Sequence, residues 1–307
     1  MILVCGIPTE SPVELVIDAL TDAGAPLVVL NQRSFDDIEL TYDVSAGGAV
    51  DGLLSIGRRQ WPLRDVAGVY TRLMDDQQLP ELASEPEGSP RRRACRSLHQ
   101  ALATFCDVTP AKVLNRTGPM SSNASKPFQA QVIARHGFDI PETIITNDPD
   151  QVRRFVAEFG RVVYKSVSGI RSIVETITAD DLGRLDQIRW CPVQFQAYVP
   201  GVDIRVHTVG DAVFATEVQS KATDYRYATR QVDMAAALRP CELDDETARR
   251  CVALAEELGL PLAGIDLKRT ETGETFCFEV NPSPAFSYFE AHTGQPIAAA
   301  IAAYLRS

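Results

Sequence analysis

The sequence predicts an α/β fold whose first part is built on a parallel sheet. Within residues 1–105, short apolar strands alternate with helical patterns, the rhythm of β–α–β units. From Val193 onward, short apolar strands dominate and a second, more β-rich part is expected. With 307 residues, 45% of them hydrophobic, the chain can bury one large core or two to three smaller ones.

Taken in order, Ile2–Cys5 reads as a buried strand and Pro12–Ala23 has the apolar spacing of a helix. Pro26–Leu30 and Val66–Tyr70 are further strands, Asp75–Pro90 a polar, proline-bearing loop, and Arg91 to Cys106 a helix. Beyond Pro110, a helix over Lys126–His136 ends at Gly137, and Thr143–Ile145 is a strand. Asp148-Pro149 opens a helix to Phe159, and Gly160 closes it. Val162–Lys165 and Ile173–Thr176 flank a small-residue turn, Ser166–Arg171. Val193–Tyr198, Ile204–Val209 and Ala212–Val218 are strands, Asp245–Leu258 a helix, and Gly264–Lys268 with Thr275–Val280 a closing hairpin. This gives three expected parts: 1–105, 106–190 and 191–307.

Composition narrows the function. The net charge of −11 opposes wholesale binding of nucleic-acid phosphates. One basic cluster, Arg91-Arg92-Arg93 with Arg96, sits among Glu81, Glu85 and Glu87; it reads as a solvated helix start or as a contact for an anion or acidic peptide. No run of eighteen apolar residues occurs, so no membrane span is expected. Met1–Gly6 lacks the basic region of a signal peptide, and a cytoplasmic protein is the expectation. Seven cysteines stand without a CxxC pair, which fits reduced core thiols rather than disulfides or zinc. The four histidines share no helical face. Of thirty basic residues only five are lysine (112, 126, 165, 221 and 268), so each lysine is a better candidate for a specific task.

Three stretches carry chemistry. In the closing hairpin, Asp266, Glu279 and Asn281 can share one face, because Glu279 and Asn281 are two apart on one strand. Two carboxylates and an amide oxygen are hard donors that suit magnesium on nucleotide phosphates; an ordinary polar strand face is the alternative. Lys165 ends the strand Val162-Val163-Tyr164, just before Ser166-Val167-Ser168-Gly169, a turn rich in amides and hydroxyls like those that cover phosphates. Lys126 opens a helix thirty-nine residues earlier. Finally, Gln196-Ala197-Tyr198-Val199 leaves a strand and can offer backbone groups to an adenine edge, with Asp203 placed for ribose hydroxyls and Arg205 for phosphate oxygens.

The order of these elements resembles the ATP-grasp superfamily, in its RimK-like and glutathione synthetase-like branch. The residues carrying the resemblance are Lys126, Lys165, Gln196–Val199, Asp203-Ile204-Arg205, Asp224-Tyr225-Arg226, and Asp266 with Glu279-Val280-Asn281-Pro282. The resemblance implies an ATP-grasp fold, with an N-terminal α/β preATP-grasp domain and a two-part α+β nucleotide clamp. It further implies ATP and Mg2+ (or Mn2+) as cofactors, with Asp266, Glu279 and Asn281 as metal ligands. Lys126, Lys165, Ser168 and Gly169 would face phosphates, Gln196, Ala197, Tyr198 and Val199 the adenine, and Asp203 the ribose. Arg205 and Arg226 would face the γ-phosphate or an acyl phosphate. The stretch Pro141–Pro149, with Val163–Gly169 and Val69-Tyr70-Thr71-Arg72, is closer to the microviridin-type (graspetide) peptide maturases, which makes Arg72 a substrate candidate. The implied function is an ADP-forming ligase acting through an acyl phosphate, forming side-chain esters or amides in a ribosomally made peptide. An amino-acid or glutamate ligase for a small molecule or protein terminus is the alternative, with a kinase or a non-catalytic nucleotide-binding protein behind it. The partner is then a peptide or small carboxylate, with no nucleic acid or membrane, and a homodimer is expected. Two departures stand out: Ala197 replaces the usual glutamate of the hinge, and the loop Ser168–Ser172 has a single glycine.

Overall fold

A computed structural model of the chain describes residues 1–166, 174–219 and 237–307. They form two compact units, one of residues 1–120, 259–262 and 283–307, the other of 121–258 and 263–282. The expected borders at 105 and 190 fall inside these units, so the three-part division stands as a proposal about finer subdomains.

In the first unit, β1 (Ile2–Gly6), β2 (Leu27–Asn31), β6 (Gly68–Arg72) and β7 (Lys112–Leu114) form a parallel sheet in the order β2-β1-β6-β7. Every residue of β1 is buried, which is why it reads as an unbroken apolar run. Helix α1 (Ser11–Asp22) buries Pro12, Val13, Val16 and Leu20, one stripe at helical spacing. The strands β3 (Ile38–Val44), β4 (Val50–Ile56) and β5 (Arg59–Pro62) form an antiparallel sheet that the sequence reading passed over. Only Ile38, Leu54 and Ser55 of these strands are buried, and while β3 alternates apolar and polar residues, β4 and β5 do not. Helix α2 (Pro90–Val108) starts where the hydroxyl of Ser89 accepts from the Arg92 amide and Pro90 occupies the first turn. It buries Cys95, Leu102, Phe105 and Cys106 and is followed by the short α3 (Thr117–Met120).

Residues 283–307, which the sequence reading placed in the last part, pack in this first unit. They form α8 (Phe286–Thr293) and α9 (Ile297–Arg306). Helix α9 buries Ile297, Ala298, Ile301, Ala302 and Leu305 and lies against α1 and β6. The approach is close: a Cβ on Gly68 would lie 2.8 Å from the Leu305 carbonyl oxygen.

The second unit holds two sheets. One is antiparallel, in the order β10-β9-β11-β8, from β8 (Thr143–Thr146), β9 (Val162–Ser166), β10 (Glu175–Thr176) and β11 (Val193–Ala197). Helix α5 (Pro149–Phe159) covers one face of it. The Asp148 side chain caps that helix by accepting from the Asp150 amide, Pro149 follows in the first turn, and Gly160 leaves it at φ 72°. Val152 and Phe155 pack there with Val162, Leu185 and Phe195; α6 (Ala179–Gly183) follows with a capping box between Thr178 and Asp181. The other sheet runs β14-β13-β12-β15-β16, from β12 (Val202–Val209), β13 (Ala212–Gln219), β14 (Ala237–Cys241), β15 (Leu262–Arg269) and β16 (Thr275–Asn281). Helices α4 (Lys126–Arg135) and α7 (Asp245–Glu257) complete the unit, the latter capped by Asp244 on the Thr247 amide. Among the described residues, no helix is long and apolar enough to cross a membrane.

Candidate functional site

Strand pairing decides which side chains can meet. In β9 and β11, Lys165 stands opposite Gln194 and Val163 opposite Gln196, so these four share one face of the sheet. The alternate residues Val162 and Phe195 go to the other face, into the core under α5. In the hairpin β15–β16, Asp266 stands directly opposite Glu279 and Gly264 opposite Asn281, while Ile265 and Val280 point to the buried side. The expected trio of Asp266, Glu279 and Asn281 therefore shares one face. The register then slips, so that Leu267 faces Cys277 and Phe278 is an extra residue. Such a bulge turns consecutive side chains toward one side. Phe278 and Glu279 accordingly line the same cleft.

That cleft, of about 710 Å³, lies within the second unit. Lys165, Gln196, Ala197, Tyr198, Val199 and Asp203 line it, as the sequence reading expected, together with Asp266 and Glu279. Its remaining walls are Val163, Val174, Leu267, Lys268 and Phe278. A largely apolar slot with charged groups gathered at its edge suits a flat base carrying a polyanionic tail.

The charged groups pair in a definite pattern. The Lys126 ammonium donates to Oε2 of Glu279 at 2.6 Å, and Nη1 of Arg205 donates to Oδ1 of Asp266 at 2.7 Å. All four are well buried: side-chain exposure is 7% for Lys126 and 13% for Glu279, 6% for Arg205 and 16% for Asp266. Two opposed carboxylates inside a protein need such cations, and each cation here comes from a different element, α4 and β12. Among the described residues, no three His, Cys, Asp or Glu side chains gather as a metal cluster. What the hairpin offers a divalent cation is two carboxylates and an amide, hard oxygen donors that fit Mg2+.

The segment Gln196–Val199, expected to act as the hinge, is partly engaged by the protein itself. The Ala197 amide donates to the Glu142 carbonyl and the Tyr198 amide to the Arg161 carbonyl, each at 2.9 Å. Among the described residues the Val199 amide donates to none. The Arg161 guanidinium lies 3.5 Å from the Tyr198 ring centroid. Asp203, expected at a ribose, lies 3.2 Å from the Lys268 ammonium, which also sits over the rings of Tyr198 and Phe278.

Lys268 went unassigned in sequence, although the scarcity of lysine already pointed to it: of the four described lysines, Lys126, Lys165 and Lys268 are buried. Phe278 was missed because a bulge cannot be read from strand alternation. Lys126 pairs with Glu279 but lines a neighbouring cavity of about 940 Å³ that shares Gln196 and Phe278 with the cleft. Arg72 belongs to the first unit. Its Nε donates to Glu10 at 2.7 Å, and its Nη1 to the Ser283 hydroxyl at 3.0 Å and to the carbonyls of Ser283 and Pro284 at 3.4 Å. Ser168, Gly169 and Arg226, with Asp224 and Tyr225, lie outside the described residues.

Comparison with known proteins adds the lineage. Residues 124–305 match the RimK-like ATP-grasp domain. A probable alpha-L-glutamate ligase of Klebsiella pneumoniae (strain 342) is 30% identical over 204 residues, 62% of this chain and 66% of that protein. Its counterpart in Citrobacter koseri is 32% identical over 197 residues, 60% of this chain and 64% of that one. The chain thus spans just under two thirds of these relatives. Among solved structures, the ATP-grasp ligase PsnB complexed with a minimal precursor superposes with a TM-score of 0.80 at 27% identity, over 99% of this chain and 97% of that one. The macrocyclase MdnC of Microcystis aeruginosa MRC, bound with the precursor peptide MdnA, has the same fold: TM-score 0.81, 23% identity, 100% of this chain and 99% of that one.

Proposed function

We propose, from the premise that this chain belongs to the RimK-like ATP-grasp family, that it is an ADP-forming ligase that joins a side-chain carboxylate to an amine or hydroxyl within a peptide. The observation that carries this reading is the pair of cleft carboxylates, Glu279 and Asp266, each held by a buried cation, Lys126 and Arg205. A carboxylate approaching the γ-phosphate of ATP brings two anions together. Catalysis of that step consists mainly of holding them in line and neutralising charge.

In this reading, Val199 offers its amide to the base and the apolar walls exclude water from it. Asp203, held by Lys268, accepts from the ribose. Lys165 and Arg205 face phosphate oxygens; Ser168, Gly169 and Arg226 keep the same expected role. Asp266, Glu279 and Asn281 are the residues that would hold Mg2+ (or Mn2+), which would neutralise charge on the phosphates and on the group in transfer. A carboxylate oxygen forms a bond to the γ-phosphorus as the bond to the ADP oxygen breaks. The acyl phosphate is then attacked at carbon by the nucleophile, which loses its proton as inorganic phosphate leaves.

Peptide as the substrate class rests on extent of likeness: PsnB, complexed with a precursor, matches 99% of the chain at 27% identity. The glutamate ligases match about 60% of it at about 30% identity, and they supply the second reading, addition of an amino acid. The deciding experiment supplies ATP, Mg2+ and an acidic precursor peptide and follows both ADP and peptide mass. Loss of one or more waters from the peptide supports the ligase reading. An unchanged peptide, with ADP released only when free glutamate is added, transfers the case to the second reading.

A further inference from the structure

The basic run at the start of α2 splits into two kinds of residue. Arg91 and Arg92 hold the protein together. Arg91 reaches Asp36 at 2.7 Å and the Glu81 carbonyl at 2.8 Å, and the Asp36 carboxylate raises its pKa further. Arg92 donates to the carbonyls of Glu85 at 2.8 Å and Leu82 at 2.5 Å, so it meets no carboxylate and its positive charge is not neutralised. The Arg93 side chain is exposed and, among the described residues, its guanidinium has no hydrogen bond or ion pair. Arg96, four residues on from Arg92 and three from Arg93, shares their side of the helix, and its hydrogen-bond partner among the described residues is Asp76, at 3.3 Å.

Arg92, Arg93 and Arg96 line one cavity of about 710 Å³, together with Gln77, Glu87 and Gly88. Three guanidiniums therefore converge on a hollow that has one lining carboxylate, on a chain whose net charge is −11. Like charges repel, so such a gathering on an acidic protein is favoured only where it meets an anion. The α2 amino terminus adds the positive end of a nineteen-residue helix to the same place.

We propose that this hollow is a docking site for an acidic segment of the peptide substrate, with Arg93 and Arg96 as the contact residues and Arg92 as the fixed charge behind them. Guanidinium forks take carboxylates in paired, charge-assisted hydrogen bonds, and two forks on adjacent turns suit two acidic side chains of one extended peptide. The proposal rests on the peptide reading of the preceding subsection and supplies what that reading lacks: attraction of an acidic partner to an acidic protein by a local patch.

The test uses the full chain and fluorescein-labelled hexaglutamate, with hexaglutamine as the neutral control, followed by anisotropy. Hexaglutamate binds and hexaglutamine does not. Raising salt from about 0.01 M to about 0.15 M, which shortens the screening length from ~30 to ~8 Å, weakens the binding. The double variant R93E/R96E, altered only at exposed positions, binds hexaglutamate about tenfold more weakly or worse, and R93K/R96K retains part of the affinity. ADP affinity is unchanged in both. Equal binding of the two peptides, an R93E/R96E variant as good as wild type, or inorganic phosphate bound more tightly than hexaglutamate overturns the proposal. ADP release with a precursor peptide is followed in parallel. Patch-dependent binding without turnover removes the ligase reading alone, and turnover indifferent to R93E/R96E removes the docking site alone.

Discussion

Glu279 has two duties, which its neighbours make separable. It faces the cleft beside Asp266, and it is the carboxylate partner of a lysine that is itself out of water. Replacing Glu279 by Gln keeps the shape, removes a hard donor and leaves the Lys126 charge uncompensated. We expect ADP release in the presence of Mg2+ to fall by about 100-fold and stability to fall by about 3 kcal/mol, read by urea unfolding. Full turnover in that variant would sink the metal assignment. His207 makes a different prediction. It is fully buried on β12, two residues from Arg205, and burial, then the Arg205 charge, push its pKa well below the ordinary value. An unfolded histidine takes its proton near pH ~6.5, whereas the folded one stays neutral to a lower pH. Between those two values the unfolded chain binds the extra proton, so stability falls as pH drops below ~6.5, levels off once the folded histidine is protonated too, and recovers toward neutrality. The expected slope is up to about 1.4 kcal/mol per pH unit. His207→Phe should flatten this part of the stability–pH curve, whatever it does to stability at neutral pH; an unchanged slope would refute the assignment. Residue type carried much of this in the sequence: scarce lysines, and acids with an amide on one strand. Pairing did not show, because Lys126 and Glu279 are 153 positions apart and only the tertiary fold makes them neighbours.

The proposed hinge and the closing hairpin show how elements would carry the proposed site. Between Val199 and Asp203 the chain must turn sharply, and Gly201 does so at φ 148°. A Cβ there would lie 2.4 Å from the Arg269 carbonyl oxygen, at the end of β15. Gly201→Ala should cost about 2 kcal/mol and raise the KM for ATP, since both the hinge amide and the Asp203–Lys268 pair lie within two residues of it. An unaltered KM would mean that this turn does not set the nucleotide site. Element existence was legible wherever the local chemistry was strong. The Asp148-Pro149 start and Gly160 stop of α5 fall where the sequence predicts them, because cap and breaker act locally. Strands β4 and β5 escaped notice because they lack the alternation that marks a strand, whereas β3 carries it over Ile38–Val44 and was legible. The bulge at Phe278 escaped for another reason: one extra residue changes register without changing composition.

At the scale of the whole molecule, the first unit draws on three stretches of chain, and α9 closes it. Removing residues 297–307 would expose the groups that Ile297, Ile301 and Leu305 cover, about 6 kcal/mol of apolar burial, against a total stability of ~5–15 kcal/mol for ordinary domains. We expect that truncated chain to lose its near-UV circular dichroism from the first unit and to be cut by protease within residues 1–120, while the second unit survives. Resistance equal to that of the full chain would show that α9 is dispensable. Sequence order concealed this arrangement: three consecutive parts are the natural reading of a linear pattern, and nothing local in α9 names its distant partners α1 and β6. The same threading has a consequence for synthesis. The strands of residues 1–120 do not have their full packing until residue 307 is made, 187 positions later (307 less 120). At ~5–20 residues per second the ribosome takes about 10 to 40 s over that interval. For that time the faces of α1 and β6 that α9 covers stay open to water on the nascent chain, while α1 and α2 are already there to pack.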